Sequence, residues 1–371
     1  MEARGDTPRV WMEAPDLAEL LQRPGPFLTV QLAIEASVAN ASQLNQQRWR
    51  ARREELASSE APEDVLVAVD PLIADAHLHG ETLLVIASGE GLHHASHWPG
   101  LPFREFGCWQ TLPVLAPLLA LRQSLPPHVL VVADRSGADI TAVGTEVSHH
   151  SVDGDLEHGR KVHTGGWSHR RYQERAENVW KRNAKDVADA VSRLARQVDA
   201  QLVALTGDVR AVQLLQAVLP EEVTALVQVM DGSRSADGSP GVDSQQLNAA
   251  LTAVSARDTT ALLDKLAEEQ GQNDRGAVGA KATAAALAMA QVQVLLIHDD
   301  PTDSRTAWFG SDPTLVALTA EELRDLGVDE PQSGRLVDVF LRSTLGTGAG
   351  VRIVPEAGRV REDVGAILRW A

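Results

Sequence analysis

Cysteine and aromatic residues are in short supply in this sequence of 371 residues. Cys108 is the only cysteine, so no disulfide can form within the chain and no zinc site can be built from several thiolates. Aromatic residues make up 4% of the sequence, and eight of them are tryptophan. The absence of a disulfide is typical of proteins that work in a reducing cytosol.

A long run of strongly apolar residues is also missing. Residues 1–16 are acidic and contain no apolar core, so we expect no signal peptide. The most apolar stretch, residues 277–297, contains Lys281 and two glutamines among many alanines. This composition favours a buried helix followed by a strand over a membrane span, and we expect a cytoplasmic protein.

Common catalytic and nucleotide-binding motifs are absent as well. The sequence contains no GxGxxG, P-loop lysine, GxSxG, HExxH or CxxC pattern. The segment ALTGD at 204–208 is a strand followed by Gly and Asp, which also occurs at nucleotide sites, but it lacks these supporting motifs. We therefore expect no cofactor and no metal.

Positive charge is confined to one part of an acidic chain, whose net charge is −17. Residues 158–196 contain ten basic and four acidic side chains, a local excess of +6, which leaves −23 for the rest. Lysine is absent before Lys161. An acidic total argues against a general nucleic-acid binder, because phosphate contacts dominate such binding. The basic island is local, and it surrounds the segment HTGGWSHRRYQERAE at 163–177.

Proline pairs and polar stretches divide the sequence into three predicted domains, 1–127, 128–272 and 273–371. Apolar strand patterns alternate with helical patterns in all three, so the predicted fold class is multidomain α/β (α+β). In the middle domain, a hairpin around Asp134 precedes a helix of some thirty residues that begins near Ser168, its expected N-cap. The C-terminal domain is predicted to be an α/β/α unit that ends in a helix over 362–371.

Three groups of residues have the chemistry of possible sites and also a simpler structural explanation. His93, His94 and His97 are spaced like metal ligands, but no nearby acid or cysteine completes a set, and they are interpreted as part of a surface turn. His149 and His150 fall in a polar connector and receive the same structural interpretation. Two acids, Asp134 and Asp139, could belong to a metal-dependent nuclease, but turn chemistry alone explains Asp134.

The pair Gly165 and Gly166 offers a backbone that can adopt positive φ and approach another surface closely. Trp167 offers a flat face for stacking on a base, and the arginines that follow can pair with phosphates. The alternative is a turn whose tryptophan packs on its own domain, with the arginines on a solvated helix face. Composition alone leaves both readings open.

The string GGWSHRRY at 165–172 resembles the GGQ loop of archaeal and eukaryotic class-1 peptide-release factors. That loop reads Gly-Gly-Gln-Ser and leads into a helix that starts with basic and aromatic residues. The predicted order of elements around it is similar to the middle domain of these factors and of the rescue factor Pelota. The sequence thus resembles the bacterial archaeo-eukaryotic release factor-like family, which includes the ribosome hibernation factor Balon.

The resemblance implies an RNase H-like fold for the middle domain and the fold of kink-turn-binding ribosomal proteins for the C-terminal domain. It also identifies one departure, because Trp167 stands where the release factors have their catalytic glutamine. An indole has one donor and no strong acceptor, and it would crowd the water that the glutamine helps to place. Pelota also lacks the GGQ motif, so the resemblance implies ribosome binding without ester hydrolysis.

The first hypothesis is therefore a ribosome hibernation or rescue factor in the aminoacyl-tRNA site. Its loop, Gly165, Gly166, Trp167, Ser168 and His169, would reach toward the peptidyl-transferase centre. Ribosomal RNA phosphates would be contacted by Arg170, Arg171, Arg175, Lys181, Arg182 and Lys185. The N-terminal domain would face the decoding centre, and the C-terminal domain would meet a translation GTPase such as elongation factor Tu.

The alternative hypothesis is enzymatic. It is a peptidyl-tRNA hydrolase or peptide-release factor with a rearranged site, in which His169 or Gln173 positions the attacking water. A nuclease that acts through Asp134 and Asp139 is the third possibility.

Overall fold

A computed structural model describes most of the chain. The described residues are 12–35, 38–74, 81–98, 100, 102, 104–134, 136–144, 147–153, 167–232, 242–271 and 275–370, and over 167–180 only the backbone is described. Contacts divide the chain into two compact units. The first contains residues 1–123 and 258–371, and the second contains residues 124–257. The predicted division into domains at 127 and 272 stays a prediction.

The first unit begins with an antiparallel sheet in the order β3-β2-β1-β4. Its strands are β1 (Phe27–Ala33), β2 (Thr82–Ser88), β3 (Gly91–Trp98) and β4 (Phe106–Gln110). The helices are α1 (Pro15–Leu20), α2 (Ala41–Ser58), α3 (Glu63–Ala74) and α4 (Ala116–Ser124). Leu28 and Val30 on one face of the sheet share a core cluster with Trp49 of α2 and Val69 of α3.

The end of the chain adds two further sheets to the first unit, in the orders β10-β16-β11-β15 and β13-β12-β14. The strands are β10 (Gly276–Val278), β11 (Val292–Ile297), β12 (Thr306–Phe309), β13 (Val316–Ala317), β14 (Gln332–Arg335), β15 (Gly350–Ile353) and β16 (Val364–Leu368). The helices are α9 (Ala280–Ala288), α10 (Ala320–Asp325) and α11 (Leu336–Gly346). Leu336 to Leu345 of α11 are all buried.

A single apolar cluster joins the two sequence segments of the first unit. It contains Leu17 and Leu20 of α1 and Ile86 of β2, together with Val339 and Phe340 of α11. Ile86 lies on the sheet face opposite Val85, as the alternation of side chains along a strand requires. The core of the first unit is therefore built by residues far apart in sequence.

The second unit is a five-stranded sheet in the order β7-β6-β5-β8-β9 within the described residues. Its strands are β5 (His128–Ala133), β6 (Gly137–Val143), β7 (Val147–Asp153), β8 (Leu202–Gly207) and β9 (Val227–Val229). The helices are α5 (Trp167–Val198), α6 (Val209–Gln216), α7 (Glu221–Thr224) and α8 (Ser244–Gly271). The second half of α8, from residue 258 onward, belongs to the first unit. The first three strands are antiparallel, and β5, β8 and β9 are parallel.

The predicted α/β multidomain class, the hairpin around Asp134 and the long helix near Ser168 are confirmed. The predicted final helix over 362–371 is wrong, because the apolar centre of this segment forms β16. This strand hydrogen-bonds to β10 on one side and β11 on the other, and both of its faces are buried. The apolar run that it contains fits a doubly covered strand as well as a buried helix.

The apolar segment at 277–297 begins with the last two residues of β10 and contains α9 and β11, the helix and strand expected from its composition. Among the residues that the structure describes, no helix combines the length and hydropathy that a membrane crossing needs.

Candidate RNA-binding helix

The C-terminal half of α5 has one buried and one exposed face. Val187, Val191 and Leu194 follow one another at helical spacing and are at most 3% exposed. They belong to a core cluster with Val131 of β5 and Leu205 of β8. This spacing is that of an amphipathic helix packed on a sheet, and it fixes which side chains of α5 face solvent.

The exposed face between residues 181 and 196 is predominantly basic. Its cationic side chains are Lys181, Arg182, Lys185, Arg193 and Arg196, and its acidic side chains are Asp186 and Asp189. Lys181, Arg182 and Lys185 form no ion pair with a residue that the structure describes. Arg196 lies 3.8 Å from Glu222, but both side chains are more than 60% exposed, so this pair contributes little to stability. The face keeps a net positive charge available for a partner.

Toward its N-terminus, α5 continues through the sequence motif. Trp167 is the first residue of the helix, and Ser168, His169, Arg170, Arg171, Gln173 and Arg175 follow it in the first three turns. Ser168 is therefore the second residue of the helix and not its N-cap as predicted, a difference of two positions at a helix end. Gly165 and Gly166 lie outside the described residues. The predicted loop contacts stay predictions.

The two candidate nuclease acids have local structural roles. The Oδ1 atom of Asp134 accepts hydrogen bonds from Ser136 N at 2.7 Å, Ser136 Oγ at 2.6 Å and Gly137 N at 2.9 Å. These bonds close the turn between β5 and β6. Asp139 accepts a hydrogen bond from Ser151 Oγ of the neighbouring strand at 3.1 Å. Within the described residues, no group of three or more His, Cys, Asp and Glu side chains could hold a metal ion.

The ALTGD segment also has a structural role. Gly207 has a φ of +129°, and a Cβ there would lie 1.8 Å from the carbonyl oxygen of Ala133. Asp208 is the N-cap of α6 and accepts hydrogen bonds from Arg210 N and Ala211 N. The glycine permits a close approach of two strands, and the aspartate satisfies the first donors of the next helix.

The histidines of the GLHHASHW segment lie in β3 and not in a surface turn, so that prediction is wrong. The strand is at the sheet edge, where polar side chains are common. His93 Nε2 lies 2.7 Å from Ser88 Oγ, and His94 Nε2 lies 2.8 Å from Ser96 Oγ. Burial lowers the pKa of both imidazoles. In β7, His149 and His150 contact the hydroxyls of Thr141 and Ser148.

A buried polar cluster in the first unit was not predicted. Asp338 of α11 is 2% exposed, and its Oδ2 atom accepts a hydrogen bond from Gln110 Nε2 of β4 at 3.0 Å. Arg335 Nη1 lies 3.7 Å from the same oxygen, and Arg335 Nη2 contacts Asp299. Gln110 and Asp338 are far apart in sequence and lie within patterns that read as an ordinary strand and helix. No local sequence signal could have paired them.

Burial and, to a smaller extent, the charge of Asp299 raise the pKa of Asp338 to about 7, against the opposing effects of Arg335 and Gln110. Burial also raises the pKa of the Cys108 thiol in β4 to about 12, with a further contribution from Asp338. A thiol with so high a pKa is not a nucleophile at neutral pH. The cluster is a structural contact between two segments of the first unit.

Comparison with known proteins finds a family model that matches most of the second unit. Residues 127–272 match the family model described as Bacterial archaeo-eukaryotic release factor family 2. Two proteins of Mycobacterium tuberculosis, Uncharacterized protein Rv2629 of strain H37Rv and Uncharacterized protein MT2704 of strain CDC 1551, are each 26% identical to this chain over 374 residues. The alignment covers 97% of this chain and 97% of each relative.

Solved structures give weaker similarity. The crystal structure of Archaeoglobus fulgidus Pelota is 14% identical, with 97% of this chain and 94% of that chain covered and a TM-score of 0.34. An archaeal translation termination factor, aRF1, is 15% identical, with coverage of 98% and 100% and a TM-score of 0.27. Neither TM-score is high enough to support a conclusion about fold or function. Through the match at residues 127–272, this part of the chain is similar to the bacterial archaeo-eukaryotic release factor-like proteins.

Proposed function

We propose that this protein is a ribosome-binding translation factor that attaches through the exposed basic face of α5. The observation that carries the proposal is the division of this helix into a buried apolar face and an exposed face rich in Lys and Arg. Phosphate contacts by such side chains supply most of the affinity in sequence-independent RNA binding. The family match supports the ribosome as the source of that RNA.

The charge distribution supports a single point of attachment. The net charge of the chain is −17, which disfavours binding to RNA outside the basic segment. Lys181, Arg182 and Lys185 occupy two successive turns of α5 and carry no competing ion pair with a described residue. Arg171 and Arg175 precede Arg182 along the continuous helix α5, and in this proposal they add further phosphate contacts toward Trp167. RNA contact along α5 directs that end of the helix into the binding site.

Within this proposal, the protein occupies the aminoacyl-tRNA site and extends residues 165–169 toward the peptidyl-transferase centre. Trp167 stands at the position of the release-factor glutamine, and its indole cannot place a water as an amide does. The protein then occupies the ribosome without hydrolysing the peptidyl-tRNA ester, as a hibernation or rescue factor does. A translation GTPase, with elongation factor Tu as the candidate, is the proposed partner of the C-terminal domain.

The test is co-sedimentation with purified bacterial ribosomes over a series of salt concentrations. The variant Lys181→Gln/Arg182→Gln/Lys185→Gln is expected to bind more weakly than wild type. Each phosphate contact contributes about 0.7–0.9 to the slope of log K against log salt, so the slope should fall by about 2–3. In the same complexes at saturating occupancy, release of labelled peptide should stay at the background rate.

The matched control is Arg50→Gln/Arg324→Gln/Arg361→Gln, which removes three exposed arginines of the first unit and changes the net charge equally. It should retain the wild-type slope. Equal weakening by both triple variants would mean that net charge alone drives binding. Wild-type protein that stays out of the ribosomal fractions at low salt would contradict the proposal, and peptide release above background would favour the hydrolase.

A further inference from the structure

The first unit contains a cleft of about 600 Å³ whose walls come from both of its sequence segments. One wall includes the end of α1, Leu21 in the loop that follows it, and Phe27 at the start of β1. The opposite wall includes Phe309 at the end of β12, Gln332 of β14 and Arg342 of α11. Clefts of this volume hold organic molecules of the size of common metabolites.

Arg342 is the unusual residue of the cleft. It is 7% exposed and lies on a helix that is almost entirely buried. Its Nη2 donates to the carbonyl oxygen of Ser311 at 2.7 Å, and its Nη1 donates to that of Asp312 at 3.4 Å. The guanidinium carbon lies 4.8 Å from the centre of the Phe309 ring. These contacts hold the guanidinium in one orientation at the wall of the cleft.

The positive charge of Arg342 is not neutralised inside the described part of the protein. No described carboxylate forms an ion pair with it. Asp312 is the acid that acts on it electrostatically, but the Asp312 carboxylate accepts hydrogen bonds from the backbone and hydroxyl of Thr314. Burial lowers the pKa of Arg342. A buried guanidinium without a carboxylate partner is costly, and an anion in the cleft would offset that cost.

The rest of the lining limits the kind of anion. Arg23 at the rim lies 3.5 Å from Glu90, and Glu330 adds a negative charge to the lining. Arg342 is thus left as about one uncompensated positive charge among apolar surfaces such as Leu21, Leu112 and Val328. A polyphosphate would place several negative charges beside Glu330. A ligand with one acidic head group and an apolar or aromatic body would neutralise Arg342 and would also pack against the apolar side chains.

We propose that this cleft binds a small organic monoanion, with its carboxylate, sulfonate or phosphate-ester head on Arg342 and its apolar body between the two walls. The site is independent of the RNA-binding face of α5, because it lies in the other unit. Arg342 supplies the charged contact, and the Phe309 ring packs against its guanidinium.

The probe for the test is 8-anilinonaphthalene-1-sulfonate, which combines an aromatic body with a single sulfonate. Its fluorescence should rise with saturable binding to one site on the full chain. N-phenyl-1-naphthylamine has the same aromatic body without the charge, and it should bind at least tenfold more weakly. The variant Arg342→Gln should remove this difference between the two probes.

Arg342 is buried, and its replacement can destabilise the fold. A second variant, at an exposed position, therefore tests the same cleft. Gln332 is exposed and lines the cleft, and Gln332→Trp should occlude it and weaken sulfonate binding at least tenfold. Arg324→Gln, which removes an exposed arginine outside the lining, should bind like wild type. Circular dichroism verifies the fold of each variant. The proposal is overturned if the wild type shows no saturable single site, if both probes bind equally well, or if folded Gln332→Trp binds like wild type.

Discussion

Asp338 shows how one buried side chain can make the stability of a domain depend on pH. Its carboxyl group is almost fully enclosed, and its Oδ1 atom has no hydrogen-bond partner among the residues that the structure describes. Arg335 lies 3.7 Å from the other oxygen, which is too far for a strong charge-assisted hydrogen bond. The effect of burial therefore outweighs the attraction by Arg335, and the pKa of Asp338 rises from 3.8 to about 7.

A group whose pKa is raised on folding stabilises the protein at low pH, and that contribution is lost as the pH rises through the folded pKa. For Asp338 the loss occurs between about pH 4 and pH 7 and corresponds to about 2–4 kcal/mol. The variant Asp338→Asn, which stays neutral, should lose less thermal stability than wild type between pH 5 and pH 8. Melting temperatures at the two pH values measure this. Equal pH dependence in both proteins would show that Asp338 does not titrate in this range.

At the scale of single elements, periodicity decided what could be predicted. The stripe of Val187, Val191 and Leu194 identifies α5 because an apolar residue every three or four positions is specific to an amphipathic helix. β16 was mistaken for a helix because its short apolar run carries no period that separates a buried strand from a buried helix. β3 was missed because edge strands accept polar residues such as His94.

The ends of the elements depend on contacts that no local pattern contains. Gly207 can be recognised as a turn residue, but its close approach to Ala133 is evident only from the pairing of β5 with β8. The contacts of Asp338 and Arg342 depend in the same way on residues distant in sequence. The basic face of the candidate site was therefore predictable, while the buried cluster and the cleft were not.

The variant Gly207→Ala is expected to destabilise the second unit by about 2–4 kcal/mol. Its Cβ would clash with the carbonyl oxygen of Ala133, and its φ lies in a region that side chains disfavour. Thermal unfolding followed by circular dichroism measures the loss. Gly89→Ala is the control, because no atom lies within 4 Å of the added carbon there. A melting temperature equal to that of the control would contradict the strand contact.

At the scale of the whole molecule, the first unit depends on residues from both ends of the sequence. Leu17, Leu20 and Ile86 share a core cluster with Phe340 of α11, and Gln123 bonds to the backbone of Val351 and Ile353 in β15. Removing either segment exposes large apolar side chains of the other. Such exposure costs about 25 cal/mol for each Å² of apolar surface.

A fragment of residues 258–371 is therefore expected to aggregate or to lack fixed tertiary structure when it is produced alone. Size-exclusion chromatography and near-ultraviolet circular dichroism distinguish these states from a folded monomer. Co-production with residues 1–123 should restore a soluble complex of the two pieces. A monomeric fragment with a cooperative melting transition would mean that the C-terminal segment has a sufficient core of its own.

The two faces of α5 allow independent variation of folding and binding in evolution. Substitutions at Val187 or Leu194 change the core, while substitutions at Lys181 or Lys185 change only the charge that the helix presents to solvent. Relatives can therefore gain or lose basic residues on the outer face without a penalty in foldability. Affinity for an anionic partner can be adjusted gradually, one exposed side chain at a time, on an unchanged scaffold.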